Sequence, residues 1–214
     1  MLLAFDTASP LVSVALYDAD ADGLVTEHLA ERPMKHAEQL APLIDLAMTT
    51  AGIVRQDLTA IAVGTGPGPF TGLRVGLVTA RTLGFVLDIP VYGVCSLDAL
   101  AIEAVDTGAV GEDFVVATDA RRKEVYLARY DAAGARLDGP VVDKPVVLAT
   151  DAPVVGQGAL LYPEAFPHRV GPEAPGAGWL ARCVVEERAE LSDPEPLYLR
   201  RPDAVAAHAA KPVS

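Results

Sequence analysis

The chain has 214 residues, 51% of them hydrophobic and 21% charged, and a formal net charge of -12 at pH 7. That is enough apolar material for one large domain or two small lobes, and it excludes a disordered chain. The charge also argues against a protein that grips nucleic acid unaided, because phosphate contacts need a basic surface; the short basic clusters are Arg121-Arg122-Lys123 and Arg200-Arg201.

Residues 2–6 form an apolar run ending on Asp6, residues 11–17 read as a second strand, and residues 24–31 as a third, after the turn cluster Asp18–Gly23. A helix follows, with Ala37, Leu40, Ala41, Ile44, Ala47, Met48 and Ala51 at helical spacing. Gly52 suits its C-terminal cap, and Pro42 inside it predicts a kink near Glu38. Residues 59–64 read as a buried strand, 71–87 as a second helix stopped by Pro90, and 91–95 as another strand. Ser96 and Asp98 then open a third helix reaching about Val105. The chain loosens around 106–113. Residues 114–118, 124–130 and 136–142 repeat the three-strand opening, with Asp119 ending the first strand as Asp6 does. A strand at 153–156 and a helix over Gly176–Glu190 follow, and the tail from Pro202 reads as frayed.

This order predicts an α/β protein of the actin-like/hexokinase type, with the first lobe its ribonuclease-H-like half. Residues 1–107 are the expected first lobe, and 108–214 a smaller, less regular second one. No stretch reaches ~18 uninterrupted apolar residues, so no membrane span is expected. Cys95 and Cys183 lack neighbouring thiols and read as buried and reduced, in keeping with a cytoplasmic protein.

The run Gly64-Thr-Gly-Pro-Gly-Pro-Phe-Thr-Gly-Leu-Arg-Val-Gly76 sits between a strand and a helix, where a phosphate loop would. It carries no Gly-Lys-Ser/Thr and no G-x-G-x-x-G, and Pro67 and Pro69 delete two backbone donors. It reads as a rigid corner. The helix after it bears Gly72, Gly76, Ala80 and Gly84 on one ridge. Each helical glycine costs about 1 kcal/mol relative to alanine, so close backbone approach must offset it. Two partners fit that face: this chain's own elements, or a helix of another subunit. The Asp-x-Gly phosphate turns of actin-like ATPases have lost their glycines here, to Ala8 after Asp6 and to Arg121 after Asp119. Gly156-Gln-Gly158 is placed like the adenosine-side turn of that fold. Asp6, Asp119, Gly156 and Gly158 thus mark a vestigial nucleotide site, and a divergent ATPase or kinase using both acids is the alternative function. His36 stands first in a helical metal pair whose second position is Leu40, which cannot ligate.

The segments Leu3–Ala8, His36–Ile44, Ile61–Gly76, Ile89–Leu97, Asp119–Tyr126 and Pro196–Arg200 together resemble the TsaB (YeaZ) family. Members are partner subunits of the bacterial complex that makes tRNA threonylcarbamoyladenosine (t6A). Departures are Pro69, where the family usually has serine, and an end soon after Arg201. The resemblance implies a non-catalytic scaffold and activator that pairs with the catalytic subunit TsaD and the ATPase TsaE, which modify adenosine 37 of tRNAs reading ANN codons. It implies that ATP and metal belong to those partners, with no cofactor held by this subunit alone, and that tRNA is met only indirectly. It also implies pairing through the first two helices, at Leu40, Leu43, Ile44, Gly72, Gly76, Ala80 and Gly84. The same surface would form a homodimer in isolation.

Overall fold

The computed structural model describes residues 1–21 and 23–200. The expected tail beyond Pro202 lies outside them. Strands β1 (Leu2–Asp6), β2 (Ser13–Asp18) and β3 (Gly23–Leu29) make an antiparallel meander. Helix α1 (His36–Ala51) runs unbroken through Pro42 and ends on Gly52, whose left-handed backbone (φ 68°) turns its N–H onto Met48 and Thr49 carbonyls. Strand β4 (Ala60–Gly66), helix α2 (Phe70–Leu87), strand β5 (Val91–Cys95) and helix α3 (Ser96–Asp106) complete the first unit.

The second unit repeats the plan. Strands β6 (Phe114–Asp119), β7 (Val125–Tyr130) and β8 (Arg136–Asp143) form a meander. Strand β9 (Val154–Val155), helix α4 (Gln157–Leu161) and strand β10 (Arg169–Val170) follow. One sheet runs β11-β5-β4-β1-β2-β3, where β11 is Leu191–Ser192, and the other β10-β9-β6-β7-β8, so five strands of each share one order. This is the two-lobed actin-like α/β architecture.

The division at residue 107 needs correction. Helix α5 (Ala177–Val185) and strand β11 (Leu191–Ser192) return to the first sheet, β11 pairing antiparallel with β5. The reason lies in strand alternation. Leu3, Phe5, Val14, Leu16, Ile61 and Val63 face α1 and α2, while Leu2, Ala4, Ala15, Tyr17, Ala62 and Val94 face the other way. Those second-face residues need a cover, and Ala177, Leu180, Ala181 and Cys183 of α5 supply it. The expected helix over 176–190 is shorter than its pattern because this apolar stripe ends at Val185.

Helix α3 lies between the lobes. Leu97, Leu100 and Ala104 pack with Phe114, Val116 and Tyr130. Its first-turn residues are not simple caps. Asp98 accepts a 2.7 Å hydrogen bond from the Tyr130 hydroxyl, tying α3 to β7. On its other side, Glu103 approaches α5 with one carboxylate oxygen buried and without a partner among the described residues. Burial, reinforced by the charge of Glu27, lifts its carboxyl from 4.5 to about 7, against a hydrogen bond from Trp179. The folded chain therefore holds this proton more tightly than the unfolded chain. This group's contribution to stability is fully present below 4.5 and is lost as pH rises through about 7. The Glu103→Gln variant is expected to melt higher than wild type at about pH 8, with the gap closing near about pH 4, in thermal melts across that range.

Helix α2 is long and apolar enough to cross a membrane by length and composition alone. Its small-residue face is packed against its own lobe, as described next.

Candidate functional site

Two places follow from the sequence reading: the cleft where the acidic strand ends meet, and the helix pair α1 and α2. In the cleft, each acid is consumed by its own turn. The Asp6 carboxylate accepts from the Ala8 N–H at 2.7 Å and from the Ser96 hydroxyl at 2.5 Å. The Asp119 carboxylate accepts from the Arg121 N–H at 2.8 Å. Asp6 is fully buried, and burial raises its carboxyl above the usual range although Ser96, Ala8 and Ser9 pull it down. Behind it lies Gly64, where a Cβ would fall 1.8 Å from Asp6 Oδ2.

Gly156 and Gly158 flank the start of α4. An added Cβ at these positions would meet the Ala117 carbonyl at 2.4 and 2.9 Å, so the glycines serve the approach of α4 to β6. The cleft that joins these elements is lined by Ala8, Ser9, Pro67, Ser96, Asp119 and Gln157, and it leaves only about 30 Å³ for water-sized occupants. That is room for about two waters, since one needs roughly 10–15 Å³. The residues do not fit a nucleotide. In this conformation both acids are engaged by their own turns.

The lost glycine of the second turn leaves a trace. Arg121, Arg122 and Lys123 all keep left-handed backbones (φ 61°, 55° and 62°), so the turn retains the conformation after losing the residue type that favours it. The first turn is held differently. His36 begins α1 as expected, but its ring is buried, with Nε2 2.8 Å from the Ser9 carbonyl. Leu40, one turn on, is in the core. This pair holds no metal.

The glycine run is a close-packed corner. Strand β4 ends on Gly66, the Gly66–Pro67 bond is cis, and α2 starts after Pro69. A Cβ on Gly68 would lie 2.5 Å from the Ala8 carbonyl. The segment past β11 straps this corner. Leu197 N–H donates to the Thr65 carbonyl at 2.9 Å, and Tyr198 packs on Phe70 with ring centroids 4.4 Å apart. Arg74 Nε donates to the Tyr198 hydroxyl at 3.0 Å, and Arg200 pairs with Glu124.

The small-residue ridge turns inward, which corrects the partner-interface reading of Gly72, Gly76, Ala80 and Gly84. A Cβ on Gly72 would meet the Thr7 carbonyl at 2.5 Å, on Gly76 the Thr7 hydroxyl at 2.4 Å, and on Gly84 the Val91 side chain at 2.3 Å. Ala80 is fully buried. Leu40 and Ile44 are core residues too, and Leu43 packs against the same cluster. The opposite stripe of α2 is the one that solvent sees. Phe85 is 89% exposed, Val86 68% and Val78 60%, and Leu46 of α1 is exposed as well. A separate groove of about 550 Å³ runs between the two helices, lined by Ala41, Met48, Ile53, Thr79 and Leu83. On the exposed side of α2, Val78, Phe85 and Val86 are interleaved with the exposed Arg74, Arg81 and Thr82. Sequence reasoning missed these residues, although the signal was present: Val78 and Phe85 stand about 180° around the helix from the glycine ridge.

The chain is a two-lobed member of the actin-like fold, with a narrow cleft at the strand ends and exposed apolar residues on α2. The family model for TsaD, tRNA N6-adenosine threonylcarbamoyltransferase, matches residues 21–159. The structure of a Pseudomonas aeruginosa protein described as similar to peptidase YEAZ superposes with a TM-score of 0.78 at 30% identity, covering 93% of this chain and 99% of that one. An uncharacterized Mycobacterium tuberculosis protein is 40% identical over 95% of this chain and 93% of its own length. The Escherichia coli tRNA threonylcarbamoyladenosine biosynthesis protein TsaB is 37% identical over 60% of this chain and 54% of its own length. The chain belongs to the TsaB (YeaZ) family.

Proposed function

We propose that this protein is a non-catalytic scaffold and activator in the synthesis of threonylcarbamoyladenosine on tRNA, pairing with TsaD and TsaE. The observation that carries this reading is the exposed Val78–Phe85–Val86 stripe on a helix whose other side is locked into the core. The partner docks on that stripe and on the outer side of α1, and a homodimer uses the same face when the partner is missing. Several features support assigning the chemistry to the partners. The cleft lined by Ala8, Ser96 and Asp119 leaves only about 30 Å³, too little for a nucleotide. The His36 side chain is engaged with Ser9, and Leu40 supplies no ligand. ATP and metal then belong to the other subunits, in the cytoplasm.

Depleting the protein in its native host is expected to strip the t6A nucleoside from tRNA hydrolysates analysed by mass spectrometry. Re-expression of the wild-type chain restores it. Unchanged t6A after complete depletion would overturn the reading.

A further inference from the structure

Outside the cleft and the α1–α2 face, one large concavity stands out. It is a groove of about 780 Å³ on the second lobe, assembled from three separate segments. The β6–β7 turn contributes Arg122 and Lys123, the segment after β8 contributes Lys144 and Val146, and the end of α4 with the residue after it contributes Leu161 and Tyr162. Three cations on one groove are notable in a chain whose net charge is -12.

Among the described residues most arginines elsewhere are ion-paired, Arg32, Arg55, Arg74 and Arg129 excepted, and the two lysines of the groove differ from that majority. Arg81, Arg136, Arg169, Arg182, Arg188 and Arg200 each pair with a carboxylate. Lys123 and Lys144 pair with none among the described residues. Glu164 is the one acid lining the groove. The turn is also costly to build. Three successive non-glycine residues, Arg121 to Lys123, take left-handed backbones, at roughly 1–2 kcal/mol each. It is pinned by Asp119 on the Arg121 N–H, by Ala120 and Glu124 backbone bonds, and by Arg200 on the Ala120 carbonyl at 2.8 Å. Glycine or asparagine would adopt that backbone more easily, and here the positions carry cations instead.

The walls between the cations are apolar. Val146 is 78% exposed, Leu161 is exposed, and the half-buried Tyr162 offers a ring. Cations spaced around an aromatic and aliphatic floor suit a chain that alternates phosphates with flat bases.

We propose that this groove binds single-stranded RNA, with phosphates on Arg122, Lys123 and Lys144 and a base against Tyr162. The groove is defined by geometry alone; the choice of RNA as occupant rests on the t6A reading. With so negative a chain the contact is weak by itself and gains strength only when partners hold the RNA nearby. The subunit then touches its RNA directly.

The test uses the purified full-length chain and a fluorescently labelled RNA hairpin with an unpaired loop, read by anisotropy. At low salt the wild type is expected to bind with a Kd of about 10⁻⁴ to 10⁻⁶ M. The Lys123→Glu/Lys144→Glu variant should lose about tenfold or more, and its salt slope should flatten by about 1.4, the value for two lost contacts to a single strand. The Tyr162→Ala variant should lose several-fold for RNA but not for polyglutamate. The Arg55→Glu variant, on the other lobe, should bind as wild type does. Circular dichroism melts check that each variant is folded. The assignment is overturned if RNA does not bind, if the groove variants bind it as well as wild type, or if Arg55→Glu weakens it equally. It is likewise overturned if polyglutamate matches RNA and shows the same Tyr162 dependence, or if free AMP competes as well as the hairpin. A negative result here leaves the t6A phenotype standing. Unchanged t6A with intact RNA binding overturns the accessory reading alone.

Discussion

Replacing Gly64 by alanine is expected to unfold much of the first lobe's stability, by about 3–5 kcal/mol. The new methyl would sit 1.8 Å from Asp6 Oδ2 and 2.8 Å from Ser96 Oγ. Neither neighbour can retreat. Asp6 is fully buried and anchored by Ala8 and Ser96, and Ser96 begins α3 directly after β5. Moving the carboxylate strands a buried acid without its donors, which adds the cost of unmet hydrogen bonds to the steric one. Typical domains have only about 5–15 kcal/mol in hand, so the loss should be plain as a lower midpoint in urea denaturation. A bulky residue at Gly76 should act in the same direction, because its Cβ would meet the Thr7 hydroxyl at 2.4 Å. A Gly64→Ala protein as stable as wild type would mean that the β4–α3 packing is looser than described.

Replacing Phe85 by aspartate is expected to do the reverse: leave the fold intact and remove partner binding. The side chain is 89% exposed, so its loss opens no cavity. A buried aromatic anchor at an interface is worth at least about 2 kcal/mol on truncation, or roughly thirtyfold in affinity. Putting a carboxylate there adds desolvation against an apolar partner. Calorimetric titration against TsaD should show this loss with an unchanged melting temperature. Paired with the glycine variants, the measurement separates the two sides of α2. If Gly76 variants stay stable and lose only association, the ridge faces a partner after all. If Phe85→Asp binds undiminished, the docking face lies elsewhere.

Much was legible in the sequence. The strand and helix order, the Gly52 cap, the glycine corner and the duplicated meander all rest on local chemistry: apolar periodicity, turn residues and proline. The family followed from the motifs. The pairing of α5 and β11 with the first sheet was not legible, because an apolar stripe says that a helix needs a cover and not which sheet supplies it. The glycine ridge misled for a similar reason. Small residues at every fourth position announce a close approach, and only coordinates show that Thr7 and Val91 make it.

The sequence by itself determined the fold class, the missing metal ligand at Leu40 and the lost phosphate glycines, since each depends on residue identity. Tertiary structure alone decided where those residues point. It buried Asp6 under Ser96, closed the cleft to about 30 Å³, and turned Phe85 to solvent. It also gathered Lys123, Lys144 and Tyr162 from three loops into one groove. Lys123 and Lys144 are 21 residues apart, and Lys144 and Tyr162 are 18 apart, so no short window of sequence contains their meeting.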